Sequence, residues 1–75
     1  MSWAPRITSR QLLRVLRKLG WSPVAQRGSH VQLTNPDRSG PVTVRVHAGE
    51  TLKPKTLAAI LDQAGLTVDD LRDAL

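Results

Sequence analysis

The stretch GSHVQLTNPDRSGPVTVRVH, residues 28–47, decides the fold. Two segments within it, His30 to Thr34 and Val42 to His47, alternate between polar and apolar residues, which is typical of strands with one buried face. Residues 35–40 between them are dense in turn formers. We therefore predict two antiparallel strands that turn their Val and Leu side chains toward one core.

A shorter strand precedes this pair. Residues 21–27 end at the turn Gly28-Ser29, and Pro23 among them suits an edge strand or the start of a strand. The three segments together predict an antiparallel meander, in which each strand pairs with the next along the chain.

A helix is predicted before the sheet. The pattern Thr8-Ser9-Arg10-Gln11 is a capping box, in which the Gln side chain reaches back to the cap. The helix is expected from about Ser9 to Leu19, and Gly20 ends it. Its apolar residues recur at helical spacing and are Leu12, Leu13, Val15, Leu16 and Leu19.

Two helices are predicted after the sheet and a loop from Ala48 to Leu52. Pro54 suits the first turn of a helix that Gly65 ends, and Thr67 caps a short last helix from Val68 to about Ala74. The fold class is therefore α+β with the order α-β-β-β-α. Residues 1–75 form one domain, with a three-stranded antiparallel sheet, two helices on one face and a short C-terminal helix.

The charge of the chain is strongly basic and uneven. The 75 residues carry a formal net charge of +5 with a sequence pI of about 11.2. Residues 1–60 hold ten Lys or Arg against two acids, whereas residues 61–75 hold one Arg against four Asp. Such a balance in a small domain favours a polyanionic partner, with nucleic acid first.

Several classes of protein are disfavoured by composition. The absence of Cys excludes disulfides, thiolate metal sites and a Cys nucleophile. The longest apolar run, residues 57–61, is far too short to cross a membrane, and the N-terminus shows no secretory signal. We expect a cytoplasmic protein. Proteins that bind single-stranded RNA by stacking need several exposed aromatic rings, and this chain has only Trp3 and Trp21, with no Phe or Tyr. We therefore expect RNA to be held mainly through its backbone.

The two histidines are the candidate acid–base groups near neutral pH. The turn permits two strand registers, with Gln32 opposite Thr43 or opposite Arg45. The first places His30 opposite Arg45 and diagonal to His47, whereas the second places His30 directly opposite His47. In both, the two imidazoles are expected within roughly 5 to 8 Å.

This constellation suits RNA cleavage, in which the 2′-hydroxyl attacks the neighbouring phosphate. A base takes the hydroxyl proton, an acid protonates the leaving oxygen and a cation steadies the phosphorus centre. Either His30 or His47 can serve as the base or the acid, and Arg45 beside them is a candidate phosphate contact or second proton group. No metal or cofactor is required. A metal site on the two histidines with Asp37 or Glu50 is disfavoured, because the usual ligand spacing is missing.

Further residues are candidates for binding RNA phosphates. Gly28 lets a phosphate approach the backbone and Ser29 can donate a hydrogen bond, although the pair is also a plain hairpin turn. The start of the second helix and the basic face of the first offer cations, although both can equally be solvated helix surface. These residues are Lys53, Lys55, Thr56, Arg10, Arg14 and Arg17.

The sequence resembles the HicA family of bacterial toxins from about Ile7 to Leu71. The resemblance is carried by TSRQLLRVL at 8–16, QRGSHV at 26–31, VHAGETLK at 46–53 and TLAAILDQAGL at 56–66. The sequence departs from the family at two places. Trp21 stands where the family commonly has Phe, and Val31-Gln32-Leu33 after His30 are smaller than the bulky or aromatic residues that the family often has there.

The resemblance implies a double-stranded-RNA-binding-like fold and the activity of an mRNA interferase, a toxin that cleaves mRNA. It assigns the catalytic role to His30, adds Arg27 of the same motif to the RNA-binding residues, and implies a HicB-type antitoxin as partner. Two alternatives stay open. One is a non-catalytic RNA- or nucleic-acid-binding module, and the other is a small domain that binds an acidic protein.

Overall fold

The first helix, α1, spans Ser9–Lys18 in the computed structural model, which describes residues 4–75. The predicted capping box is present: the Thr8 hydroxyl accepts from the Gln11 N–H at 3.2 Å, and the Gln11 side chain accepts from the Thr8 N–H at 2.8 Å. At the other end, Gly20 has a φ of +97°. That conformation lets the Trp21 N–H reach the Leu16 carbonyl at 2.9 Å, as in a Schellman motif.

The sheet has three antiparallel strands in the order β1-β2-β3. They span Ser22–Arg27, His30–Thr34 and Val42–Arg45. β1 is an edge strand, as Pro23 predicted, and its register shifts between Pro23 and Ala25. All its side chains are exposed, so β1 contributes no residue to the core.

The third strand is shorter than the sequence predicted. The alternation of valines extends to His47, but β3 ends at Arg45. The Val46 N–H still donates to the Ser29 carbonyl at 2.6 Å, yet Ser29 already lies in the turn before β2, so no strand continues opposite. The next residue, His47, is instead held by the hydroxyl of Ser9. The expectation that His47 belongs to the strand is therefore wrong.

Two helices follow the sheet with the predicted bounds. α2 spans Pro54–Ala64, with the proline in its first turn, and Gly65 ends it in the left-handed conformation. α3 spans Val68–Ala74. It begins with a second capping box, in which hydrogen bonds with the backbone and the hydroxyl of Thr67 hold the pKa of the Asp70 carboxyl below its usual value.

The core lies between one face of the sheet and the helices. Every second residue of β2 and of β3 is buried beneath α1 and α2, as predicted, and α3 adds Leu71 to the core. Within residues 4–75, no helix has the length and apolarity needed to cross a membrane. The buried apolar residues are Ile7, Leu12, Val15, Leu16, Trp21, Val31, Leu33, Val42, Val44, Leu57, Ile60, Leu61, Ala64 and Leu71.

Asn35 ties the end of α1 to the loop between β2 and β3. It is 8% exposed, and its side-chain amide donates to the Leu19 carbonyl at 3.1 Å. Its amide oxygen accepts from the Asp37 N–H at 2.9 Å, which forms an Asx-type turn. Asn35, which the sequence indicates as a turn residue, therefore also provides a hydrogen-bond donor for a carbonyl at the end of α1.

Candidate active site

His30 is the first residue of β2, and its side chain lies on the face opposite the core. Successive side chains of a strand point to opposite faces, so burial of Val31 and Leu33 leaves His30 exposed. Gly28 precedes it with a φ of +55° and with no atom near the place of a Cβ. A positive φ at the first of two loop residues fits a type II′ hairpin turn, and the open side of Gly28 leaves its backbone accessible.

Two arginines flank His30 across the sheet. His30 pairs with Arg27 of β1 on one side and with Arg45 of β3 on the other. Directly opposed residues share a face, with Cβ atoms roughly 4.5–5.5 Å apart. All three side chains are exposed. We call Arg27, His30 and Arg45 the basic row.

The observed register selects one of the two predicted arrangements. Gln32 pairs with Thr43, so His30 lies opposite Arg45. The alternative, in which His30 lies directly opposite His47, is wrong because the loop between β2 and β3 sets the first register.

His30 borders two shallow surface hollows. One, of about 200 Å³, extends from the basic row over β1 and is lined by Ala25, Arg27, His30, Gln32 and Thr43. The other, of about 410 Å³, lies between β3 and α2 and is lined by His30, Thr43, Arg45, Lys55, Thr56, Ala59, Ile60 and Gln63. The second hollow brings two of the predicted RNA-binding residues, Lys55 and Thr56, to the same depression as His30 and Arg45.

His47 lies in a neighbouring hollow. That hollow, of about 270 Å³, is lined by Ser9, Arg45, His47, Glu50, Thr51, Leu52, Lys53 and Thr56. It shares Arg45 and Thr56 with the hollow between β3 and α2, but His30 does not line it. The structure therefore places the two histidines in adjacent depressions on either side of Arg45, rather than in one.

The start of α2 supplies cations to both depressions. Lys53 caps the helix with extended backbone and makes no side-chain capping bond. It lines the hollow of His47, whereas Lys55 lines the hollow of His30. Both side chains are exposed. The first N–H groups of a helix attract anions, so these two lysines and the helix end favour phosphate on the same side.

The basic face of α1 is a separate surface. Arg10, Arg14 and Arg17 are exposed, as the helical spacing predicted. None of them lines the hollows around His30 or His47. The structure thus divides the predicted RNA-binding residues into two groups, one beside His30 and one on α1.

The cations around His30 and at the start of α2 form no ion pair within residues 4–75. Among the described residues, no acid lies within 4.0 Å of the charged groups of Arg27, Arg45, Lys53 or Lys55. The ion pair Arg72–Asp69 lies on α3, away from these cations. The four acids of residues 61–75 lie on α2 and α3. Residues 4–75 contain no group of three or more His, Asp or Glu placed to hold a metal ion.

Sequence reasoning missed Ser9. It is 1% exposed, and its hydroxyl accepts from the His47 N–H at 3.1 Å and donates to the His47 carbonyl at 3.5 Å. This contact fixes the chain just after Arg45 and thereby the hollow of His47. A serine in the first turn of a helix is common, and no local pattern in the sequence marks it as a partner for residue 47.

The comparison with protein families supplies a match. The family described as the HicA toxin of bacterial toxin–antitoxin systems matches residues 9–66. The match runs from the first turn of α1 to the residue after Gly65, so it includes the whole basic row and the start of α2. No curated protein matches the chain closely enough to count as a relative.

Proposed function

The chain belongs to the HicA family of toxins from bacterial toxin–antitoxin systems, and on that basis we propose that it is a metal-independent endoribonuclease that cleaves mRNA, with His30 as its catalytic residue. The basic row carries the proposal. A histidine at the first position of a strand, exposed between two arginines that form no ion pair within residues 4–75, is suited to binding a phosphate and promoting attack on it at one place.

The arrangement provides the groups that RNA cleavage needs. The neutral imidazole of His30 takes the proton of a 2′-hydroxyl, and the 2′-oxygen attacks the adjacent phosphorus. Arg27 and Arg45 donate to the phosphate oxygens as negative charge develops there. The bond to the 5′-oxygen breaks, which leaves a 2′,3′-cyclic phosphate and a 5′-hydroxyl. His47, across Arg45, is the candidate donor of the proton that the leaving oxygen takes up, and solvent is the alternative.

The proposed partners follow from the same surface. The substrate is mRNA, held through its phosphates by the basic row, by Gly28 and Ser29 at the turn, and by the start of α2. Membership of the family implies an antitoxin partner. We propose that this partner is of the HicB type, that it covers the basic row with acidic side chains, and that both proteins act in the cytoplasm. Complementary charge would speed their association and fix their orientation.

The experiment that tests the proposed function is RNA cleavage by the purified chain and by its His30→Ala variant, with a chelator present. Loss of cleavage in the variant with RNA binding retained supports the proposal. Equal cleavage by both proteins would contradict it, and RNA binding without cleavage by the parent chain would favour the non-catalytic binding module.

The double variant Lys53→Ala/Lys55→Ala tests the phosphate contacts at the start of α2. We expect RNA affinity to fall by a similar factor for different sequences, because phosphate contacts carry little sequence information. Loss of two such contacts should also reduce the slope of log affinity against log salt by roughly 1.4 to 1.8. Fluorescence anisotropy with two unrelated RNAs at several salt concentrations measures both quantities.

The matched control is Arg10→Ala/Arg14→Ala, which removes two exposed cations from α1. If the lysine variant leaves affinity and slope unchanged while the arginine variant lowers both, the phosphate contacts lie on α1 and the proposed site at α2 is wrong.

A further inference from the structure

The hollow that contains His47 has features that phosphate binding does not explain. Its single acidic lining residue is Glu50, and we call it the Glu50 hollow. It adjoins the basic row through Arg45, while Thr56 borders both this hollow and the depression of His30. A nucleotide next to a phosphate held at the basic row would therefore reach it.

The wall of the Glu50 hollow is fixed before any ligand binds. Its loop has no helix or strand, yet it is hydrogen-bonded at both ends. Ser9 holds both backbone groups of His47, and the Leu52 N–H donates to the Ile7 carbonyl at 2.8 Å. A bridge between Thr8 and Thr51 and a turn from the Glu50 N–H to the His47 carbonyl lie between these points. A wall held in this way does not have to be ordered when a ligand enters.

Glu50 carries a negative charge in a hollow whose other charged residues are basic. Arg45, His47 and Lys53 line the same hollow, and a hollow built for phosphate alone would exclude a carboxylate. Yet Glu50 makes no ion pair and no side-chain hydrogen bond with any residue in 4–75. Its two carboxylate oxygens are therefore available to a ligand that offers hydrogen-bond donors.

Among the RNA bases, guanine matches a carboxylate best. Its Watson–Crick edge carries two adjacent donors, the N1–H and the N2 amino group, which two carboxylate oxygens can accept together. Adenine and cytosine place an acceptor beside their amino group, and uracil has one N–H between two carbonyls, so each of these bases would set an acceptor against the carboxylate.

We propose that the Glu50 hollow is a base-binding subsite in which Glu50 selects guanine at a nucleotide adjoining the cleaved bond. The part that this subsite plays in selecting the cleaved bond rests on the proposed nuclease function, whereas its binding of guanine does not. Arg45 and Lys53 contact the phosphates on either side of that nucleotide whatever its base, and Glu50 supplies the discrimination.

The test uses guanosine and adenosine 5′-monophosphate as probes, titrated into the full chain and followed by NMR. The phosphate contributes equally to both, so their affinity ratio reports the base. We expect guanosine monophosphate to bind at least about tenfold more tightly, the scale of discrimination for one bidentate contact. Glu50→Gln should bring the ratio to within about twofold, since the amide replaces one acceptor by a donor.

The matched control is Asp37→Asn, which removes an exposed carboxylate from the loop between β2 and β3. It should leave the affinity ratio unchanged. Equal binding of the two nucleotides to the parent chain, or a ratio that survives Glu50→Gln, would overturn the proposal.

Sequencing of the ends produced from a random RNA pool separates this proposal from the proposed function. Cleavage that shows a guanine beside the cut, and loses it in Glu50→Gln, supports both. Cleavage without base preference overturns the subsite and leaves the nuclease. Selective binding of guanosine monophosphate by a chain that cleaves no RNA supports the subsite and refutes the nuclease.

Discussion

His30→Ala is expected to lower the rate of RNA cleavage by about 10² to 10⁴, the usual loss when a positioned acid–base group is removed. The fold should be unaffected, because the side chain is exposed and makes no hydrogen bond with any residue in 4–75. RNA binding should largely persist, since Arg27 and Arg45 still flank the site. Cleavage of a labelled RNA under single-turnover conditions gives the rate, and circular dichroism checks the fold.

His47→Ala is the comparison for that experiment. A loss of the same order as for His30→Ala would place the proton donor for the leaving oxygen on His47, whereas a loss below about tenfold would leave that proton to solvent. A folded His30→Ala protein that cleaves RNA at the parental rate would remove His30 from the mechanism altogether.

Trp21→Ala is expected to lower the free energy of unfolding by about 3 to 5 kcal/mol, the usual cost of truncating a buried aromatic residue. Trp21 is 2% exposed and is the largest fully buried side chain in residues 4–75. A domain of this size is stabilised by only about 4 to 11 kcal/mol. The expected loss is therefore a large fraction of the total stability. Urea denaturation followed by circular dichroism measures the change.

Trp21→Phe is the control for this prediction, since it keeps an aromatic ring in the same place. A smaller cost than for Trp21→Ala is expected, because Phe fills most of the space of the indole and leaves a smaller cavity. If Trp21→Ala were as stable as Trp21→Phe, the core at the junction between α1 and the sheet would not depend on this ring.

The helices and strands could be predicted from the sequence because each has a local signal. The apolar residues of α1 recur at helical spacing, the capping box at Thr8 forms as predicted, and Thr67 caps α3 as predicted. Val31, Leu33, Val42 and Val44 alternate with polar residues, and all four are buried. These signals depend on neighbours in the chain, which a sequence displays directly.

What the sequence left open depends on contacts between distant residues. Two registers satisfied the alternation of β2 and β3, and the intervening loop decides between them. The end of β3 is set by the hydroxyl of Ser9, which is 38 positions from His47 along the chain. The Glu50 hollow likewise requires the loop after β3 to lie against the start of α1. No periodicity or spacing in the sequence indicates these contacts.

The most direct measurement of the central claim compares an RNA that the chain cleaves with the same RNA carrying one 2′-deoxynucleotide immediately 5′ of the cleaved bond, in the presence of a chelator. If His30 activates the 2′-hydroxyl between Arg27 and Arg45, the unmodified RNA yields 2′,3′-cyclic phosphate and 5′-hydroxyl ends, and the modified RNA is not cut at that bond. Equal cleavage of both RNAs at that bond, or loss of cleavage of both when the chelator is present, would contradict the account.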